Sequence, residues 1–291
     1  IKLVSDKAIW KEVMKYSYPL VIVGLGGMVN DVLSRLIYRH VVDLPIDQAD
    51  HELGVFANIF RLALLITIMI QAFRMAAEPF FFKHSESKNA QQTYARVMKF
   101  FVIACCFMFL FIGLFLDVFK WIFVHFANPR WAEGLQVVPL LALGNIFLGI
   151  YYNLSIWYKL TNKNIYGAYI TIAGAIITIL LNVTLIPHLH YAGAAIATFC
   201  CYFLMMVISY KLGQKFYPVP YSVKKLSLYI FTAVALYLIH WMVTLWVPGS
   251  LLFSIIAGIL LLAVFTRLIG FTEAKDLVKL PVVGRFYKQK A

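Results

Sequence analysis

The sequence predicts an all-α protein, a polytopic transmembrane helical bundle of about eight spans. Three observations carry that expectation. Hydrophobic residues make up 62% of the 291 residues and charged ones only 13%, whereas soluble domains carry roughly 25% charged residues; the mean hydropathy is +0.81. The apolar runs are long enough to cross a bilayer, for which about 20 residues are needed. The strict alternation of a membrane β-barrel is absent, which leaves helices as the elements that satisfy their own backbone in lipid.

Along the chain the spans are expected near 13–38, 53–82, 95–124, 135–158, 166–187, 193–212, 226–247 and 250–270. Connections are short, as in helical bundles. Pro19 and Pro139 fall within spans and are expected to kink them or to mark non-ideal turns. The four cysteines form two adjacent pairs, Cys105–Cys106 and Cys200–Cys201, inside apolar helices. Neighbours on a helix point about 100° apart, so these thiols read as small core or lipid-facing groups.

The net charge of +13 would suit nucleic acid, but in a multi-pass protein it is better explained by basic cytoplasmic loops, and no nucleic-acid partner is expected. Twenty Lys and Arg fall in alternate connections and the termini, including Lys99 and Lys159, against three (Arg39, Lys120 and Arg130) on the other side. The first connection on that other side, "VVDLPIDQADHE", is acidic. Both termini are therefore expected in the cytoplasm. The chain opens on Ile1 rather than Met, directly in a basic segment, which reads as a piece of something longer. The tail after residue 271 is basic and amphipathic and suits the anionic inner leaflet.

Five charges within the spans stand out: Arg35, Arg61 and Arg74, with Asp31 and Glu78. A charge at the bilayer centre costs about 2.5–3.5 kcal/mol on insertion scales, so such groups face a bundle interior or an aqueous cavity. In the second span, Thr67, Gln71, Arg74 and Glu78 are spaced by 4, 3 and 4 and share one face. In the first, Gly24, Gly27, Asp31 and Arg35 do the same, flanked by Asn30 and Ser34; the glycines allow close approach by a helix or a ligand. Two readings stand. Asp31–Arg35 and Arg74–Glu78 are internal ion pairs that stitch helices together. Alternatively, the cation surplus serves an anionic ligand, because guanidinium presents a bidentate fork to phosphate. Arg61 lies near a helix end and can snorkel.

Asn145, Asn153 and Asn182 are amides within spans, expected to bridge helices. The sequons at 153–155 and 182–184 lie at membrane depth. "HLH" at 188–190 is a short outer turn, and no metal site is expected. No Ser–His–Asp set, HExxH, GxGxxG or phosphate loop is visible. The chain is therefore expected not to be an enzyme and to need no cofactor, and any transport would be secondary.

One long stretch carries a resemblance. "YGAYITIAGAIITILLNVTLIPHLHYAGAAIATFCCYFLMMVISYKLGQKFYPVPY", 166–221, resembles flippases of the multidrug/oligosaccharidyl-lipid/polysaccharide superfamily: a helix ending in LN-x-x-LIP (Leu181 to Pro187), a tiny outer turn, then GAAIAT (Gly193 to Thr198). "LGVFANIFRLALLITIMIQAFRMAAEPFFF", 53–82, and "YSYPLVIVGLGGMVNDVLSRL", 16–36, are similar to cavity helices of its Wzx-type polysaccharide branch. The resemblance implies a MATE-like second lobe of six helices over 1–223, two additional helices over 224–270 and a cytoplasmic tail over 271–291, with a first lobe missing upstream. It implies alternating access around a cationic cavity in the bacterial inner membrane, carrying undecaprenyl-diphosphate-linked oligosaccharide for polysaccharide or lipopolysaccharide synthesis. Membrane lipids and the missing lobe are the implied partners. On this reading Arg74 holds the diphosphate with Gln71 and Thr67, Arg35 and Arg61 are outer way-stations, and Glu78 and Asp31 are charge partners or take part in ion coupling. Three alternatives are a lipid II flippase, a drug/cation antiporter (against which the arginine surplus argues), and a non-transporting membrane fragment.

Overall fold

A computed structural model describes residues 7–126, 128–247 and 250–277; side chains at 8, 25–31, 33, 275 and 277 also lie outside the described residues. Every described element is helical. In chain order these are α1 (Lys7–Val41), α2 (Ile46–His84), α3 (Ala90–Leu114), α4 (Leu116–Phe126), a 3₁₀ helix (Pro129–Val137), α5 (Val138–Leu154), α6 (Ile156–Leu160), α7 (Asn164–Phe216), α8 (Val223–Trp246), α9 (Leu251–Thr272) and the single turn α10 (Ala274–Leu277). Among the described residues, six stretches are long and apolar enough to cross a membrane: Ile46–His84, Ala90–Leu114, Pro129–Leu160, Asn164–Phe216, Val223–Trp246 and Leu251–Thr272. The chain can therefore sit in a membrane as a multi-pass protein. Large apolar side chains such as Leu180, Phe231, Leu252 and Leu260 point outward, as a lipid-facing surface requires.

The α5 stretch is the axis of the bundle, with 83% of its most apolar window buried. α2 packs on one side of it, where the buried Asn145 donates Nδ2 to the Ala63 carbonyl at 3.1 Å. α3 packs beside it through Phe101, and the second half of α7 through Phe199 and Phe203. α1 lies along α7, joined by Asn182 Nδ2 donating to Ser34 Oγ at 2.9 Å and Asn164 Nδ2 donating to the Tyr16 carbonyl at 3.2 Å. α8 and α9 attach through α3: Phe109 stacks edge-on against Tyr237, and Phe107 against Phe265. A buried charge cluster fastens the same three helices. Lys99 contacts Glu273 and Asp276, while Glu273 also accepts from Lys225 at 3.1 Å and from Tyr229.

Local structure departs from the expected spans in places and follows them in others. The span expected at 95–124 breaks at Phe115 into α3 and the short α4. The spans expected at 166–187 and 193–212 are two helices, the halves of α7, which part at His190, whose φ of 53° and ψ of −136° leave the helical region, and they turn back on each other so closely that Gly193 abuts the Leu185 backbone. Pro139 marks a non-ideal turn rather than a kink: the 3₁₀ helix ends at Val137 and Pro139 sits in the first turn of α5, where its missing N–H costs nothing. The acidic connection before the second span is largely helical, since Asp47, Asp50 and Glu52 lie on the opening turns of α2. There Asp50 pairs with Arg39 at 3.2 Å, and Glu52 accepts from the buried Tyr38 hydroxyl.

Candidate functional site

A cavity of about 630 Å³ opens between α1, α2, α5 and α6. The α2 wall is the polar stripe legible in the sequence: Thr67, Gln71, Arg74 and Glu78 all line it. Helical periodicity aims these four the same way while Ile66 and Ile70 turn into the core. Pro79, inside α2 directly after Glu78, lacks a backbone donor and loosens that turn. α5 ends at Ser155, whose hydroxyl donates back to the Tyr152 carbonyl at 2.6 Å. The chain restarts as α6, which brings Tyr158 and Lys159 to the cavity wall. Tyr16 and Gly24 of α1 complete it. A Cβ built on Gly24 would meet nothing within 4 Å, so this glycine faces open cavity rather than a tightly packed helix.

The charges converge on one carboxylate oxygen. Arg74 Nε donates to Glu78 Oε1 at 2.8 Å, and Lys159 Nζ donates to the same atom at 2.7 Å. The Arg74 guanidinium also rests on the Tyr152 ring, 4.8 Å from its centroid, a contact worth up to about 2 kcal/mol when desolvated. Two cations against one anion leave this wall with a net positive charge. Arg74 and Glu78 are each about one-third exposed, at 35% and 32%, whereas the Lys159 side chain is only 8% exposed. A small pocket of about 10 Å³ adjoins the cavity, lined by Arg74, Glu78, Tyr152 and Asn153. The buried Nδ2 of Asn153 has no hydrogen-bond partner among the described residues.

The other candidates lie elsewhere. Arg35 does not line the cavity; its guanidinium sits 5.2 Å from the Phe60 ring centroid. Arg61 does not line it either, and its Nη1 donates to Asn58 at 3.1 Å on an exposed face. The side chain of Asp31, with Asn30 and Gly27, lies outside the described residues. Asn145 and Asn182 bridge helices as given above, while Asn153 makes no such bridge. Among the described residues, no group of three His, Cys, Asp or Glu could hold a metal.

Lys159 is the functional residue that the sequence does not bring to the site. Its position at the end of an apolar run reads as a cytoplasmic loop cation, yet it is buried against Glu78. Lys99, read in the same way, is likewise buried, against Glu273 and Asp276. Each has a long apolar stem that can lie along a helix in either direction, so position in sequence does not say whether the ammonium turns out or in. No protein-family model and no curated protein matches this chain, so its function has to be read from the geometry just described.

Proposed function

We propose that the chain is part of a secondary transporter, a flippase that moves undecaprenyl-diphosphate-linked oligosaccharide across the bacterial inner membrane for polysaccharide or lipopolysaccharide synthesis. The observation that carries this reading is the convergence of Arg74 and Lys159 on one wall of a 630 Å³ cavity. Paired cations beside an open volume suit a diphosphate, whose oxygens accept charge-assisted hydrogen bonds from both. The tyrosines at 16, 152 and 158 offer rings and hydroxyls of the kind that pack against and hydrogen-bond a sugar. The resemblance of 166–221 to oligosaccharide-lipid flippases points the same way and makes this chain the second lobe of a two-lobed carrier. Glu78 holds the cations in place when the cavity is empty. A lipid II flippase would use the same cationic wall.

A second reading has a specific observation in its favour. Lys159 and Glu78 join α6 to α2 across 81 positions of sequence, as an ion pair that only fastens helices would. The two readings separate in cells whose surface polymer depends on this protein. Arg74→Ala and Lys159→Ala are expected to abolish export while the protein reaches the membrane at unchanged levels. Export unaltered by both would leave the fastening role alone.

A further inference from the structure

Arg74 and Lys159 do not take one carboxylate oxygen each. Both reach Glu78 Oε1, at 2.8 and 2.7 Å. Two cationic donors that share one acceptor atom stand close enough together to be spanned by neighbouring phosphoryl oxygens. We infer that Glu78 is a displaceable counter-ion: a diphosphate entering the cavity takes Arg74 and Lys159 away from the carboxylate, and protonation of Glu78 favours the exchange. This rests on the anion-binding reading above. It adds a competitor built into the site and a proton linked to ligand entry.

The contacts suit exchange rather than a permanent lock. The Arg74 bond to Glu78 uses Nε, one of five guanidinium N–H donors. Arg74 and Glu78 are accessible from the cavity, while the Lys159 side chain is largely buried and still reaches the cavity wall. Removing the Glu78 charge leaves two like charges side by side, a state that a multiply charged anion relieves better than water does. The charged and titratable groups facing Glu78 are Arg74 on its own helix, Lys159 and Tyr158 from α6, Tyr152 from α5 and Tyr16 from α1. Among the described lining residues Glu78 is the one carboxylate, so proton uptake by the protein on ligand entry in the acid range falls to it.

The test is direct titration of the full chain in nanodiscs with two probes, inorganic pyrophosphate and farnesyl diphosphate, at several pH values. Glu78→Gln is expected to tighten binding on the order of tenfold at neutral pH. The ratio of variant to wild-type affinity should shrink as pH falls, because wild-type Glu78 itself becomes neutral; the probe's own titration cancels in that ratio. Glu78→Asp, whose shorter side chain cannot hold both cations, should lie between the two and guards against a variant that folds poorly. Lys159→Gln should weaken binding and reduce the effect of Glu78→Gln. Preference for farnesyl diphosphate identifies a lipid headgroup and equal binding a free phosphate compound; either supports the exchange. If wild type binds and Arg74→Ala does not, but Glu78→Gln binds as wild type does at every pH, the counter-ion role fails and the anion site stands. Absence of binding to wild type and Glu78→Gln alike overturns both.

Discussion

Lys159 donates to Glu78 Oε1 at 2.7 Å, from a side chain only 8% exposed. A buried ammonium needs a counter-charge, because an uncompensated one is far more expensive than the pair is favourable. Glu78→Ala is therefore expected to destabilise the fold more than the double change Glu78→Ala with Lys159→Met. The coupling between the two positions should be about 1–3 kcal/mol. A double-mutant cycle on unfolding in mixed micelles measures it, and additive effects would mean that the pair carries no coupling energy.

Glu273 gives the fold an acid-sensitive joint. Burial alone would raise its carboxyl, but hydrogen bonds from Lys99, Tyr229 and Lys225 outweigh burial and hold it below the ordinary value of 4.5. A carboxylate depressed in the folded state contributes stability that is present above its ordinary value and lost as pH falls through the lower, folded one. Attachment of α8 and α9 to α3 should therefore loosen below about pH 4.5. Hydrogen exchange along α9 would show this, and Glu273→Gln should flatten that pH dependence while lowering stability at neutral pH. Identical pH profiles for wild type and variant would remove Glu273 as the cause.

His190 holds a positive φ of 53°, a conformation that costs a residue with a side chain about 1–3 kcal/mol. Its Nδ1 lies 3.3 Å from Glu52, but without hydrogen-bonding geometry. Little is lost by removing the ring, so His190→Gly should raise the unfolding free energy by about 1 kcal/mol after the entropy of the extra glycine is subtracted. A lower thermal midpoint for this variant would show that the ring matters more than the backbone.

The two glycines Gly193 and Gly24 should respond in opposite ways to alanine. A Cβ at Gly193 would stand 2.7 Å from the Leu185 backbone, where the halves of α7 meet just after the break. Gly193→Ala must spread those halves and is expected to cost about 1–3 kcal/mol. At Gly24 there is open space, so Gly24→Ala should be neutral or stabilise by about 0.5–1 kcal/mol through helix propensity. Thermal unfolding of both variants checks the contrast.

Asn145 joins α5 to α2 through the Ala63 carbonyl, and Asn182 joins α7 to α1 through Ser34. Truncating either to alanine removes one net hydrogen bond and leaves a small void, a loss of about 1–3 kcal/mol. Unfolding in micelles should register both losses, and a negligible effect at either site would show that its bridge contributes nothing to packing.

By itself the sequence determined the helical class, the positions of the long apolar stretches and the polar face of α2. These follow from composition and from a period of 3.6, which act locally and survive without knowledge of neighbours. Thr67, Gln71, Arg74 and Glu78 stand on the cavity for that reason. The partner of Glu78 could not be read the same way. Lys159 lies 81 positions away, and its ammonium turns inward only because α5 stops at Ser155 and α6 packs beside α2. The union of Lys99 with Glu273, 174 positions apart, has the same origin. Tertiary packing alone decided which cations are buried and which carboxylate they share. A charge in low dielectric goes wherever the folded chain places its counter-charge, and no local pattern records that distance.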